Sequence, residues 1–185
     1  ELRAVRAVLR ANTAECRLHF CHMSTAASVD AARGSVEVTP HHLFLSHEMF
    51  DYNNAFAKVN PPLRSEQERK ELLSRWERID VIASDHAPHT SREKKLPFLN
   101  APSGVPGVET TVPLLLAAVL EKTIRLPDVI AKTSSNPAAI LGIPPAGFAP
   151  GCRGDFALFR KEAVRIEAEN LHSKCGWTPF EGKMG

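Results

Sequence analysis

The chain has 185 residues, is 43% hydrophobic and 24% charged, and carries a formal net charge of +2, enough for one domain with a real core and ordinary for a globular protein. A charge so near neutral gives no electrostatic reason for a nucleic-acid or polyanionic partner, and the longest apolar stretch, 112–120, is broken by Pro113 and too short to cross a membrane. Cys16, Cys21, Cys152 and Cys175 form no C-x-x-C pair and read as the reduced thiols of a cytoplasmic protein.

No signal-peptide pattern opens the chain, because Glu1 begins a charged, amphipathic segment. Leu2, Val5, Val8 and Leu9 recur at helical spacing with Arg3, Arg6 and Arg10 opposite, so a helix runs to about Asn12. Residues 17–22 read as a short strand with His19 and Cys21 on one face and Phe20 and His22 on the other. Ser24 or Thr25 caps a helix over 26–32, and Gly34 is expected to end it as a left-handed cap. Residues 35–39 form the next strand, stopped by Pro40. Helix and strand in alternation imply a parallel sheet with crossover helices.

A long excursion follows. Residues 50–58 are irregular, with Asn53-Asn54 in a turn. Residues 59–64 are kept out of helix by Pro61 and Pro62. Ser65 starts a helix, with Glu68 completing a capping box, and the helix is expected to reach about Arg78. Residues 79–83 are apolar but for Asp80, the pattern of a buried parallel strand, and the strand, 79–84, delivers Asp85. Pro88 stops the strand and fixes the loop that holds His89.

Residues 90–106 are read as one long loop, and such loops are usually functional. Thr110 or Thr111 caps an apolar helix over 112–121, with Pro113 in its first turn. A short helix is expected at 127–132, and Ser135-Asn136-Pro137 should cap another at 138–141 that ends on Gly142. Residues 154–159 read as a β-strand outside the barrel, and from Lys161 the chain is polar and weakly patterned. No internal repeat appears at a fixed period.

In a barrel of parallel strands the polar residues at the C-terminal ends carry the chemistry. Three strands here end that way: in His22, in the Thr39-Pro40-His41-His42 corner, and in Asp85. Neutral imidazole and carboxylate suit zinc, which lowers the pKa of its water to roughly 7. Alone, His22 reads as a structural histidine and Asp85 as a turn residue. The two together read as ligands. Adjacent side chains diverge, so at most one of His41 and His42 reaches a site. Cys21 and Glu37 read as packing residues beside it, or as a weak extra metal position. His19, His47 and His172 read as surface or structural. Asn60 and His89 are polar loop residues without a periodic role, the kind that carries function. At Ser103-Gly104 the missing Cβ lets backbone amides approach a planar ligand.

Five stretches, in sequence order, carry a resemblance. They are His22-Met23-Ser24-Thr25, Glu37-Val38-Thr39-Pro40-His41-His42-Leu43, Val59-Asn60-Pro61-Pro62-Leu63-Arg64, Ser84-Asp85-His86-Ala87-Pro88-His89, and Gly104-Val105-Pro106-Gly107-Val108-Glu109-Thr110. Together they resemble class I dihydroorotases of the amidohydrolase superfamily, over about Leu18 to Gly142, with a second match at Ser173-Lys174 and 178–182. The resemblance implies an α/β fold, the C-terminal portion of a (β/α)8 barrel with about three strands plus helices, and part of a small flanking β-domain. It places the barrel part at 1–145 and the flanking part at 146–185.

It further implies a site of one or two zinc ions and reversible hydrolysis of dihydroorotate to N-carbamoyl-L-aspartate in pyrimidine synthesis. By that likeness His22 and Asp85 bind metal, and Asp85 also moves the proton between water and leaving nitrogen. Asn60, His89, Ser103 and Gly104 match substrate contacts, His89 beside the substrate carboxylate. A homodimer or an aspartate transcarbamoylase is the implied assembly partner. The family's His-x-His-x-Arg motif, its bridging Lys or Asp and a further His are not found here and would lie before Glu1. The chain therefore reads as part of a longer protein, expected to be inactive and poorly stable alone. The rival readings are another cyclic amidohydrolase, a hydantoinase or allantoinase, and a non-catalytic scaffold subunit for aspartate transcarbamoylase.

Overall fold

A computed structural model of the chain describes residues 1–144 and 146–185. Its helices are α1 (Leu2–Ala11), α2 (Ala26–Ala31), α3 (Pro40–Phe44), α4 (Glu66–Leu73), α5 (Ser91–Lys94), α6 (Thr111–Leu120), α7 (Leu126–Ile130) and α8 (Asn136–Leu141). Its strands are β1 (His19–Phe20), β2 (Ser35–Val38) and β3 (Val81–Ile82), hydrogen-bonded in the order β1-β2-β3. Both pairings are parallel, with Phe20 opposite Val36 and Val38 opposite Ile82. The expected alternation of helix and strand is thus realised as a parallel sheet. The strands are shorter than the apolar runs, yet main-chain bonds extend the pairing: Met23 N to Glu37 O, Asp80 N to Val36 O and Ala83 N to Val38 O.

One apolar cluster sits between the sheet and its helices. It joins Val5, Val29, Val36, Val38, Leu72, Ile79, Ile82 and Leu115, most of them almost wholly buried. Fully burying one such side chain is worth roughly 1.5–3 kcal/mol. A second cluster joins Leu45, Val59, Leu63, Val105 and Leu114 to Ile166, Trp177 and Phe180, so the C-terminal segment packs against the loops at the strand ends.

Asp80, the polar break in the third apolar run, has a clear use. Its carboxylate accepts a bond from Val36 N at 2.8 Å. Asn136 donates to Asp80 O at 2.8 Å, and the buried Lys132 ammonium donates to Ile79 O. The start of β3 is therefore tied both to β2 and to the helices behind it.

Several expectations are corrected. Gly34 is not the cap of α2, which ends at Ala31 with Ala32 already extended. The Arg33 guanidinium bonds carbonyls of the last turn, including Asp30 O and Ala32 O. Gly34 is needed for another reason: its φ is +151° and a Cβ there would lie 2.4 Å from Leu18 O. Thr25, rather than Ser24, caps α2. The capping box of Ser65 and Glu68 is present, but α4 stops at Leu73 and Trp76–Arg78 forms a separate 3-10 turn. No cap separates α7 from α8; a π-helical turn, Ala131–Ser135, runs between them. The loop 90–106 contains α5, started by a capping box of Thr90 and Glu93. Residues 154–159 form no strand. Phe156, Leu158 and Phe159 there are exposed, and β-formers without a neighbouring strand to pair with do not make a ladder.

Candidate active site

The alternation along β1 buries Phe20 and carries the chain into His22, and the run through β3 ends at Asp85. Both residues have left-handed backbone, φ +39° at His22 and +44° at Asp85. Such φ values are uncommon outside glycine, although His and Asp adopt them more readily than most residues, and Glu15, Asn53 and Lys122 share them here. His22 is half-buried and its Nδ1 is buried without a hydrogen-bond partner among the described residues. Its backbone N–H donates to Glu37 Oε1 at 3.2 Å. Asp85 is exposed. Burial, then the charges of Glu37 and Asp85, push the Cys21 thiol up.

His19, Cys21 and Glu37 bring one ligand atom each to within 4.8 Å of one another. His19 bonds Ser35 Oγ at 2.8 Å and Glu37 Oε2 at 3.2 Å, which is a structural role beside His22. Glu1 holds the next residues. Its carboxylate accepts from Ser24 N at 3.0 Å and Thr25 N at 3.2 Å. Burial opposes its charge, but the bonds from Ser24 outweigh it and hold its carboxyl below the usual range.

The two adjacent histidines of α3 differ. His42 uses both ring nitrogens: Nδ1 meets Thr39 Oγ1 at 2.8 Å, and Nε2 donates to Pro61 O at 2.9 Å. Burial drives its pKa down to about 4, so it is a neutral brace for the Asn60 loop. His41 is also buried, its Nε2 unpartnered among the described residues. Its pKa is lowered by burial and then by His42 and His22.

The loop residues converge. Asn60 is exposed and precedes a cis bond to Pro61. It borders a cleft of about 500 Å³ with Tyr52, Asn54, Lys58 and Phe98, which does not include His22 or Asp85. His89 Nε2 donates to Ser103 O at 3.1 Å, and Trp177 Nε1 donates to His89 O at 2.7 Å. Gly104 N donates to Lys58 O at 2.9 Å. Gly104 has φ +133°, and a Cβ there would lie 2.7 Å from Ala87 Cβ and 3.3 Å from His89 Cδ2. The structure thus joins the Asn60 segment, His89 and Ser103-Gly104 by direct bonds. His86, next to Asp85, accepts from Gly107 N at 3.1 Å and is a structural link.

Sequence reasoning missed Glu1, the bracing role of His42, Trp177 and the buried Lys94. Only Lys94 had a legible signal, the Thr90-x-x-Glu93 capping box that starts its helix.

Comparison with known proteins now bears on this geometry. No family model matches the chain. By fold, the chain matches an L-hydantoinase (dihydropyrimidinase) from Arthrobacter aurescens with a TM-score of 0.85 at 23% identity, over 99% of this chain and 45% of that one. This chain therefore has the fold of the corresponding part of that protein. By sequence it is 45% identical over 187 residues to a dihydroorotase of Halobacterium salinarum, covering 97% of this chain and 44% of that protein. It is 44% identical over 190 residues to a dihydroorotase of Pyrococcus furiosus, covering 98% and 45%. The chain is similar in sequence to these dihydroorotases, and it spans a little under half the length of these curated relatives.

Proposed function

We propose that the chain is the C-terminal part of a dihydroorotase, in which His22 and Asp85 hold zinc and Asn60, His89, Ser103 and Gly104 hold the substrate. The observation that carries this reading is the shared left-handed backbone of His22 and Asp85, at the ends of the outer two strands of one parallel sheet. A buried imidazole nitrogen without a partner among the described residues fits a zinc ligand. A catalytic zinc takes three protein ligands, so this pair is completed by residues outside these 185, for one ion or two. Zinc bound there supplies Lewis-acid polarisation of the ring amide and brings the pKa of its water to about 7.

Asp85 then takes the proton from the attacking water and returns it to the ring nitrogen as the amide opens to N-carbamoyl-L-aspartate. His89 Nε2 bonds Ser103 O, and the imidazolium form of the ring presents an Nδ1–H donor to the substrate carboxylate. Asn60 and the Ser103-Gly104 backbone fix the ring plane. Residues 1–145 form the barrel part, and 146–185 belong to a flanking β-domain and C-terminal segment. The same reading gives a cytoplasmic protein of pyrimidine synthesis, with dihydroorotate and N-carbamoyl-L-aspartate as its small-molecule partners. A homodimer or a complex with aspartate transcarbamoylase is its assembly. In isolation the 185-residue chain, with two ligands, is inactive.

The test is ring opening of dihydroorotate by the full-length protein, with and without zinc. Zinc-dependent turnover that vanishes in Asp85→Asn supports the reading. A folded, zinc-loaded protein that leaves dihydroorotate intact and opens a hydantoin overturns it in favour of the hydantoinase alternative. A folded protein that binds no zinc and opens neither ring is the scaffold subunit.

A further inference from the structure

Lys94, at the end of α5, has a side chain with only 1% of its surface exposed. An ammonium carries three donors and no acceptor. All three find main-chain carbonyls: Lys58 O at 3.2 Å, Pro102 O at 3.0 Å and Gly104 O at 2.9 Å. None of these partners is charged. The Trp177 ring lies beneath, its centre 5.5 Å from Nζ. Burial, and then the neighbouring charge of Lys58, lower the Lys94 pKa from 10.5 to about 8.

Burying a cation without a counter-ion is unfavourable, and an apolar side chain would fill the same space at lower cost. What the ammonium provides instead is geometry. Lys58 stands two residues before Asn60. Pro102 and Gly104 flank Ser103. The helix that carries Lys94 begins directly after the loop of His89, at Thr90. Trp177, stacked under the ammonium, is also the residue that bonds His89 O. The three segments meet at one cation. Lys58 adds a second tie from the outside, its ammonium bonding Phe98 O and Ala101 O at 2.7 Å each.

Resting on the dihydroorotase reading, we propose that Lys94 is a positioning residue for substrate: its buried ammonium sets the spacing between the Asn60 segment and the Ser103-Gly104 turn. It touches neither substrate nor metal and acts through the main chain of the residues that do. Its removal therefore weakens substrate binding and leaves the zinc ligands on the strands in place.

The experiment uses the full-length protein and Lys94→Met, which keeps the stem and removes the donors. KM for dihydroorotate rises about tenfold while kcat stays within about twofold and zinc per chain is unchanged. The Gly104 amide, bonded to Lys58 O, exchanges with solvent about tenfold faster relative to amides of β2. Lys94→Arg restores part of the KM. Should the Met variant fail to fold, Lys94→Gln keeps two donors in the same pocket and raises KM about threefold, with faster Gly104 exchange. An unchanged KM with activity lost only in proportion to the unfolded fraction overturns the proposal, as does a Gly104 amide that keeps its protection. If the unmodified protein opens no dihydroorotate, the functional reading fails, and the exchange measurement still decides the role of Lys94.

Discussion

At the ends of β1 and β3, His22 and Asp85 are placed by main-chain ladders that run on from the core. In the loops, Asn60, His89 and Gly104 are placed by side chains that reach across to main-chain carbonyls: Lys94, Lys58, Trp177 and His42. The first region draws its order from apolar burial and main-chain pairing, with Asp80, Lys132 and Asn136 tying down the start of β3. The second has little ladder of its own and depends on a few polar contacts, each with one donor at one distance. Groups proposed for the same reaction are thus supported by physics of different kinds, and they should fail differently.

The largest expected effect is at the strand ends. Asp85→Asn in the full-length protein should lower kcat about 1000-fold, the loss expected when a proton-transferring group is removed. Thermal stability should hardly change, because Asp85 is exposed. Steady-state kinetics beside a melting curve checks both halves, and a large drop in Tm would place Asp85 in the structural class. Next comes the loop region. Gly104→Ala puts a side chain at φ +133° against Ala87, which should cost about 3 kcal/mol. It should raise KM more than it lowers kcat. Urea unfolding and kinetics measure the two, and an unaltered KM would separate the turn from substrate.

The third effect depends on pH. His42 has a folded pKa of about 4 against 6.5 for the free side chain. The unfolded chain therefore binds more protons in that window. Its contribution is complete above pH 6.5 and is lost as pH falls toward 4. Between pH 7 and 5 the unfolding free energy should drop by about 2 kcal/mol from this group. His41, lowered for the same first reason of burial, acts in the same direction. In His42→Gln the slope over that range should flatten, as followed by urea midpoints at each pH. The smallest effect is a control outside both regions. Ser65→Ala breaks the capping box of α4 and should cost about 1 kcal/mol with KM unchanged.

The two regions also differ in how far they could be read from sequence. The places of His22 and Asp85 after strands were legible because a buried parallel strand reads as a near-continuous apolar run. Asn60, His89 and Gly104 were legible as loop residues, and their convergence was not. Contacts such as Lys94 to Lys58 O join residues 36 apart through a main-chain atom that every residue type carries, and so leave no mark on the pattern. The strand expected at 154–159 failed for a related reason: alternation announces a willingness to pair, and no strand stands beside it among the described residues. Gly34 was noticed for the right chemistry and given the wrong task, since a close approach to Leu18 O and a helix cap both demand glycine.

The ties at the start of β3 have a mechanical consequence. Asp80 holds Val36 N, while Lys132 and Asn136 hold the carbonyls of Ile79 and Asp80. That end is clamped, and Asp85 stands at the far end of a cantilever roughly 16 Å long, at about 3.3 Å per residue. A small rotation at the clamp grows along the arm and becomes a displacement of the carboxylate at its tip. Lys132 and Asn136 thereby hold the other end of the segment that carries Asp85 and bear on where its carboxylate stands.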